Sequence, residues 1–293
     1  NIKGFDTDDY DHRKEFRRIF AFCTASKWSA RAFLLIDIVD FSTFSTPEQL
    51  ALRMSLGQAV TSCARRFYRL QQKGLVQHSR FNRVSTGDGF YIWSYDTSPD
   101  GHVSTFLLLI FLMTLIEFMR KEASSRLALR AACAIDEAYT FPYDGPGTPP
   151  SDRTYASFRP DAIGPVLNKL SRLVTAAVPG QILIAPFEQP GREERPDEIL
   201  DVPTMVDRIK SEILPGELDP ADSIKAHDIV LELDPPGLLR ATDKHGLLHH
   251  CYNLRGAIPN RAGSSGPLSL QSIGLVPDDA ARIETTAFRP FVL

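Results

Sequence analysis

The sequence is poor in cysteine and has little net charge, and each shortage excludes a class of protein. Its 293 residues contain four cysteines, Cys23, Cys63, Cys133 and Cys251, with no C-x-x-C spacing. Scattered cysteines predict neither a zinc site nor a disulfide framework, and they fit a reduced cytoplasmic protein. The formal net charge of −3 provides no general attraction to nucleic acid or to an anionic membrane.

Residues 1–18 are charged rather than apolar, so we expect no secretion signal there.

One long apolar run, residues 103–120, stands apart from the rest of the chain. The run is apolar nearly all round, but Glu117 and Arg120 cut it short of the roughly 20 residues that a membrane span needs. We therefore expect a helix buried in a large core, with a membrane span as the alternative.

The first predicted secondary-structure elements are a strand and a long helix. Residues 31–41 form an apolar run broken by two aspartates, which is typical of a strand covered on both faces. Residues 45–70 carry apolar side chains at spacings of three and four and predict a helix. Thr46 and Gln49 fit a capping box at its start, and Gly74 is placed to end it.

The later elements complete an α+β pattern. The order of predicted strands and helices favours a sheet of the split βαβ kind with helices on one face. The further elements are a strand, glycine turn and strand at 81–95, a strand at 126–135, a helix and strand within 161–186, and closing strands at 228–233 and 247–254.

Domain boundaries follow from the same pattern. We expect one domain over residues 31–255, preceded by an N-terminal extension at 1–30. Within the domain, residues 188–225 look like a charged, proline-interrupted insertion with a short amphipathic helix around 205–213. Residues 256–293 contain Pro, Gly and Ser, and we expect an arm over the surface there.

Two carboxylates are candidates for a metal site. Asp37 lies near the end of the first strand, where a buried charge is costly unless it is paired or metal-bound. Asp88 lies in the glycine turn of the hairpin, and the two converge if the strand runs beside that hairpin. Mg²⁺ and Mn²⁺ accept such a pair when phosphates and waters supply the other ligands. The alternative for either residue is a turn or capping hydrogen bond.

Polar residues elsewhere suit a phosphorylated substrate. Phe41 and Ser42 follow the first strand, where backbone N–H groups can face a phosphate at the coming helix N-terminus. Asn168 and Arg172 are four residues apart and share one face of a helix. They can orient a ribose and stabilise charge on a pentavalent phosphate. A solvated helix face is the alternative.

Together these stretches resemble the class III nucleotidyl cyclases over roughly residues 31–255. "FLLIDIVDFS" is similar to the first metal motif of that family, "STGDGFYIW" to the second and "LRAACAI" to the strand that follows. "DAIGPVLNKLSRLVTAAVPGQILIA" is similar to its signature helix and strand. Asp at position 40 and Ala at position 132 replace glycines that are usual in the family.

The resemblance implies a fold, a set of partners and a set of roles. The fold is an α+β, ferredoxin-like βαββαβ core with an antiparallel sheet, which works as an antiparallel homodimer with active sites between the protomers. Two divalent cations, Mn²⁺ or Mg²⁺, assist a nucleoside triphosphate substrate. The implied roles are metal binding by Asp37, Asp88 and the Ile38 carbonyl, catalysis by Asn168 and Arg172, and phosphate binding by Arg130 and Lys244, beside the loop of Phe41 and Ser42.

The base-reading positions depart from the purine pattern. Cyclic-AMP-forming members of the family usually read adenine with a Lys where this chain has Val84, and with an Asp that is kept as Asp161. Guanine-reading members usually have Glu at the Val84 position. Valine can neither donate to adenine nor accept from guanine, so the purine-reading pair is broken.

"RVSTGDG" is instead similar to the pattern of the pyrimidine cyclases of bacterial Pycsar antiphage systems. Those enzymes convert UTP or CTP to a cyclic mononucleotide that a separate effector protein reads. The resemblance implies a uridylate cyclase, with a cytidylate cyclase second, that recognises its base through residues among Arg83, Val84, Ser85, Thr86 and Asp161. The alternatives are an adenylate or guanylate cyclase, and a catalytically silent module that senses nucleotide or dimerises.

Overall fold

A computed structural model describes ten stretches of the chain. They are residues 27–76, 80–122, 126–141, 161–191, 198–217, 230–234, 238–242, 246–261, 268–274 and 288–290. The helices are α1 (Thr46–Gln72), α2 (Pro99–Glu122), α3 (Pro165–Ala176) and α4 (Val202–Arg208), which continues through a π-helical turn (Ile209–Ile213) into α5 (Leu214–Glu217).

Most of the strands belong to one sheet. In chain order they are β1 (Lys27–Ile38), β2 (Phe81–Ser85), β3 (Gly89–Ser94), β4 (Leu129–Phe141), β5 (Asp161–Ile163), β6 (Ile182–Ile184), β7 (Glu188–Pro190), β8 (Ile199–Asp201), β9 (Val230–Leu233), β10 (Leu239–Thr242), β11 (Leu248–Arg261), β12 (Leu268–Ile273) and β13 (Phe288–Pro290). β7 and β8 pair separately from the main sheet.

The first six elements form the predicted βαββαβ core. Along the chain they run β1, α1, β2, β3, α2, β4, and the strands lie side by side in the order β4-β1-β3-β2. β1 is therefore central, antiparallel to β3 on one side and to β4 on the other. β6 extends the sheet beyond β4 as a parallel neighbour, and β11 follows it. The predicted α+β, ferredoxin-like class is confirmed.

Helices cover both faces of the sheet, although the sequence pattern suggested one face. Alternate residues of β1 point in opposite directions, so Leu34 joins a core with α1 and α2, while Phe33 joins a core with α3. Both side chains are fully buried. The expectation of a strand covered on both faces is therefore confirmed, and the expectation of helices on one face is wrong because α3 packs on the other.

α2 is the buried helix that residues 103–120 predicted. It is long and apolar enough to cross a membrane by length and composition, but 78% of its most apolar stretch is buried inside the structure. Phe106, Leu107 and Ile110 are among its fully buried side chains. Burial by the rest of the chain on all sides explains why the helix is apolar nearly all round.

Local boundaries differ from the predicted ones in three places. The capping box of α1 uses Ser45 and Glu48, one residue earlier than predicted. α3 begins at Pro165 rather than at position 161, because 161–163 pair with β4 as strand β5. The described parts of 256–293 add β12 beside β11 and β13 beside β10, where no strand was predicted.

His102, in the first turns of α2, should make stability fall in mild acid. The side chain is 2% exposed, and burial lowers its pKa from 6.5 to about 4. The imidazole is neutral in both states above pH 6.5. As the pH falls below 6.5, the unfolded chain takes up the proton first, so stability is lost between about pH 6.5 and 4.

The loss attributable to His102 is roughly 2 kcal/mol at pH 4.5 relative to pH 7. Denaturant unfolding at the two pH values measures it, and His102→Leu should flatten the difference by that amount. His250→Leu, at an exposed position of β11, is the control and should retain the wild-type pH dependence. An unchanged difference in His102→Leu would show that another group causes it.

Candidate functional site

The sheet brings Asp37 and Asp88 together at one end of its central strands. Asp37 is aligned with Gly89 of β3 on one side and with Arg130 of β4 on the other. The backbone N–H of Ile38 donates to the carbonyl of Asp88 at 3.1 Å, so the hairpin turn closes on the end of β1. The two carboxylates are therefore neighbours, as a strand beside the hairpin requires.

Two glycines make this approach possible. Gly87 has a φ of +98°, in the region that side chains avoid. A Cβ at Gly89 would collide with the backbone carbonyl of Ile36 on the adjacent strand. The glycines flanking Asp88 therefore do more than reverse the chain, because they allow the turn to lie against β1.

Arg130 forms an ion pair with Asp37. Its Nε and Nη2 each lie 2.7 Å from Oδ2 of Asp37, and its Nη1 donates to the carbonyl of Ala177 at 3.5 Å. Asp37 is only 7% exposed. Burial raises the pKa of Asp37, the Arg130 hydrogen bond and charge lower it, and the neighbouring Asp88 carboxylate raises it again. An additional positive charge nearby would therefore stabilise the ionised form of Asp37.

The two carboxylates suit a divalent cation that also has phosphate and water ligands. Both contacts from Arg130 go to Oδ2 of Asp37, so that arginine does not occupy Oδ1. In the described stretches no group of three or more His, Cys, Asp or Glu side chains could hold an ion alone. Two carboxylates leave most coordination positions of a cation for other ligands. That arrangement is typical of Mg²⁺ or Mn²⁺ bound together with a triphosphate, and not of a cation enclosed entirely by protein ligands.

The loop after β1 and the helix α3 carry further predicted residues. Phe41 and Ser42 lie in a 3₁₀ turn, with Phe41 packed against the core and Ser42 exposed. Asp40, before that turn, has a φ of +54°, which explains why glycine suits the position and which aspartate tolerates better than most residues. Lys244 lies outside the described residues.

Asn168 and Arg172 lie on α3, which packs through Val166, Leu170, Leu173 and Val174. Asn168 is exposed and Arg172 partly buried. Arg130 reaches the C-terminal end of α3 at Ala177, and Asn168 lies nine residues earlier, about 13 Å back along the helix axis. Within one chain, the carboxylate pair and Asn168 therefore lie toward opposite ends of α3.

The residues considered for base recognition divide between the two faces of the sheet. Val84 packs beside Tyr91 on the α3 face, which also carries Asp37. Arg83 points to the α1 face, where its Nη1 donates to the Gly57 carbonyl at 3.3 Å. Ser85 points the same way and accepts a hydrogen bond from Arg53.

Thr86 and Asp161 have separate surroundings. Thr86 Oγ1 donates to Oδ1 of Asp88 at 3.3 Å, within the turn itself. Asp161 is exposed at the start of β5, and its Oδ1 accepts from its neighbour's backbone N–H at 2.8 Å. Assignment of these two residues, and of Arg83, Val84 and Ser85, to the base stays a prediction.

Two residues at the site were not predicted from the sequence. Arg53 of α1 contacts the turn that carries Asp88, through hydrogen bonds to the Gly87 carbonyl and to Ser85. Tyr91 donates its hydroxyl to the carbonyl of Leu167 in α3 at 3.2 Å. An arginine on an amphipathic helix and a tyrosine in a strand have no motif, so no sequence signal distinguishes them.

The fold is similar to solved cyclase domains. It resembles the guanylate cyclase domain of RhGC from Catenaria anguillulae in complex with GTP, with a TM-score of 0.46 and 14% identity over 78% of this chain and 97% of that one. It also resembles the adenylyl cyclase CyaB from P. aeruginosa, with a TM-score of 0.46 and 13% identity over 82% of this chain and 99% of that one. No protein-family model matches the chain, and no curated protein matches it.

Proposed function

We propose that the protein is a class III nucleotidyl cyclase that converts a pyrimidine nucleoside triphosphate, preferably UTP and secondly CTP, to its 3′,5′-cyclic mononucleotide. The observation that carries the proposal is the carboxylate pair Asp37 and Asp88, held side by side where the hairpin closes on the central strand. Arg130 on the next strand supplies the adjacent positive charge.

The reaction is an intramolecular displacement. The ribose 3′-oxygen forms a bond to the α-phosphorus, the bond from that phosphorus to the bridging oxygen of the β-phosphate breaks, and pyrophosphate leaves with the electron pair. The hydroxyl proton passes to solvent. Mn²⁺ or Mg²⁺ bound at this site would supply activation of the hydroxyl and neutralisation of the triphosphate.

Each candidate site residue has a separate role in the proposed reaction. Asp37 and Asp88, with the Ile38 carbonyl, would hold the cations. Arg172 stabilises negative charge on the α-phosphate in the transition state, and Asn168 orients the ribose. Arg130 and Lys244 bind the outer phosphates, with the backbone of Phe41 and Ser42 assisting.

A homodimer with two sites fits the placement of these residues. The carboxylate pair lies near the C-terminal end of α3 in one chain, while Asn168 lies about 13 Å toward the other end. An antiparallel partner would bring the Asn168 and Arg172 of a second copy to the carboxylates of the first. The chain contains both halves of the set, so two equivalent sites would form.

The pyrimidine preference rests on Val84. Its side chain is partly buried and packs with Tyr91 on the same sheet face as Asp37. An apolar group there has no hydrogen bond to give a purine edge. Retention of Asp161 favours the second candidate, an adenylate cyclase. A silent module is disfavoured because Asp37, Asp88 and Arg172 are all retained.

The biological role follows from the resemblance to Pycsar cyclases alone. The cyclic product would be a cytoplasmic second messenger in antiphage defence, read by a separate effector protein. Neither nucleic acid nor a membrane is a partner in this proposal.

Incubation of the purified protein with each of four nucleoside triphosphates and Mn²⁺ should separate the candidates. We expect UTP to give the most cyclic product, CTP less, and ATP and GTP at least roughly tenfold less than UTP, the cost of about one missing hydrogen bond. Mass spectrometry of the products measures the four rates. An Asp88→Asn preparation controls for contaminating cyclases, and equal or faster turnover of ATP or GTP would contradict the pyrimidine preference.

A further inference from the structure

Arg53 of α1 forms hydrogen bonds to the hairpin that carries Asp88. Its Nε donates to the carbonyl of Gly87 at 2.8 Å, and its Nη2 donates to Ser85 Oγ. The guanidinium also lies over the ring of Phe90, 3.7 Å from its centroid. One side chain thus contacts the hairpin at three points, two before Asp88 and one after it.

The hydrogen bond to Gly87 has a direct consequence for Asp88. The Gly87 carbonyl belongs to the peptide group that joins Gly87 to Asp88, and this group is planar. Fixing the Gly87 carbonyl oxygen therefore restrains the orientation of this peptide plane. The plane contains the Cα of Asp88, from which the Asp88 side chain projects. Glycine on both sides of Asp88 gives the turn more conformational freedom than other residues would, so an external restraint matters here.

The charge of Arg53 acts on the same turn. Burial and the nearby charge of Arg83 lower the pKa of Arg53, and the Asp88 carboxylate raises it. The hydrogen bonds that Arg53 makes to the turn go to a carbonyl and a hydroxyl rather than to the Asp88 carboxylate. Arg53 can thus stabilise the turn without occupying the carboxylate oxygens.

We propose that Arg53 is a positioning residue, which holds the Gly87–Asp88 peptide so that the Asp88 carboxylate faces Asp37 and the pair is preorganised for a divalent cation. This inference rests on the proposed function. Removal of an outer contact that orients a metal ligand typically weakens metal affinity by roughly 10- to 100-fold.

Mn²⁺ titration of the full chain without nucleotide, followed by electron paramagnetic resonance, tests the proposal. Arg53→Met keeps an apolar stem over Phe90 but removes both hydrogen bonds, and we expect its Mn²⁺ affinity to fall by roughly tenfold or more. Arg53→Lys keeps the charge without the planar fork and should fall between Met and wild type. Arg66→Met is the matched control, since Arg66 is on the same helix and lies 4.2 Å from the ring centroid of Phe111.

The outcomes separate this inference from the function on which it rests. Arg53→Met with wild-type Mn²⁺ affinity, while Asp88→Asn loses binding, would overturn the role of Arg53 alone. Equal weakening in Arg66→Met and Arg53→Met, with equal losses of thermal stability, would overturn it too, because a general structural effect would then suffice. Absence of Mn²⁺ binding by the wild-type protein would overturn both the metal site and the role of Arg53.

Discussion

Asp88→Asn should lower cyclase turnover by about a thousandfold, equivalent to several kcal/mol of transition-state stabilisation. The substitution keeps the size of the side chain and an oxygen that can still accept from Thr86, whose hydroxyl lies 3.3 Å from Asp88 Oδ1. It removes one anionic oxygen donor and the repulsion that raises the pKa of Asp37. We therefore expect loss of activity without loss of fold.

Product formation from UTP with Mn²⁺ measures the activity, and thermal unfolding of the same preparation measures the stability of the fold. Turnover should fall by about a thousandfold, while the melting temperature stays at or slightly above that of the wild type. Asp207→Asn, at an exposed carboxylate on α4, is the control and should leave both unchanged. Turnover of Asp88→Asn within a fewfold of wild type would show that the metal role assigned to Asp88 is wrong.

Mixing two inactive variants should restore about one quarter of wild-type activity if each site combines two chains. Under the proposed function, Asp88→Asn disables the carboxylate half of a site, and Arg172→Ala disables the half that would stabilise the transition state. In a mixed dimer, one site receives both altered residues and the other receives neither. Random assembly makes half of the dimers mixed, and one of two sites in each is intact.

Co-expression of the two variants with different affinity tags, followed by tandem purification of the mixed dimer, sharpens the measurement. The purified mixed dimer should have about half the wild-type turnover per dimer. A chain that carries both substitutions, co-expressed with Asp88→Asn, is the control and should remain inactive because no site is intact. Inactivity of the Asp88→Asn and Arg172→Ala mixture, despite dimer recovery, would place the whole site within one chain.

Periodicity predicted the elements of the core well because it reports burial directly. The apolar run of β1 indicated a strand covered on both faces, and Phe33 and Leu34 do lie in cores on opposite faces. Start signals were less specific, since Ser45 and Thr46 both fit the first position of a capping box. The helix uses Ser45, whose backbone N–H and hydroxyl both donate to Glu48.

The closeness of two candidate site residues was predictable, because a motif holds each of them in a fixed local setting. Asp88 between glycines and Asp37 at a strand end are local features, and the structure brings both to one place. Arg53 was not predictable, because its relation to Gly87 depends on how α1 packs against the hairpin, 34 residues away along the chain. Likewise, no pattern indicated that Arg130 would pair with Asp37 across 93 residues.

The sequence by itself determined the βαββαβ order, the buried helix α2, and the residue types available for phosphate and metal chemistry. These depend on short-range periodicity and on the chemistry of single side chains. Only the tertiary structure decided the register that aligns Asp37 with Gly89 and Arg130, the face on which Val84 and Arg83 lie, and the packing of α3 opposite α1 and α2. Register and packing depend on many weak contacts between distant segments, whose sum no local pattern contains.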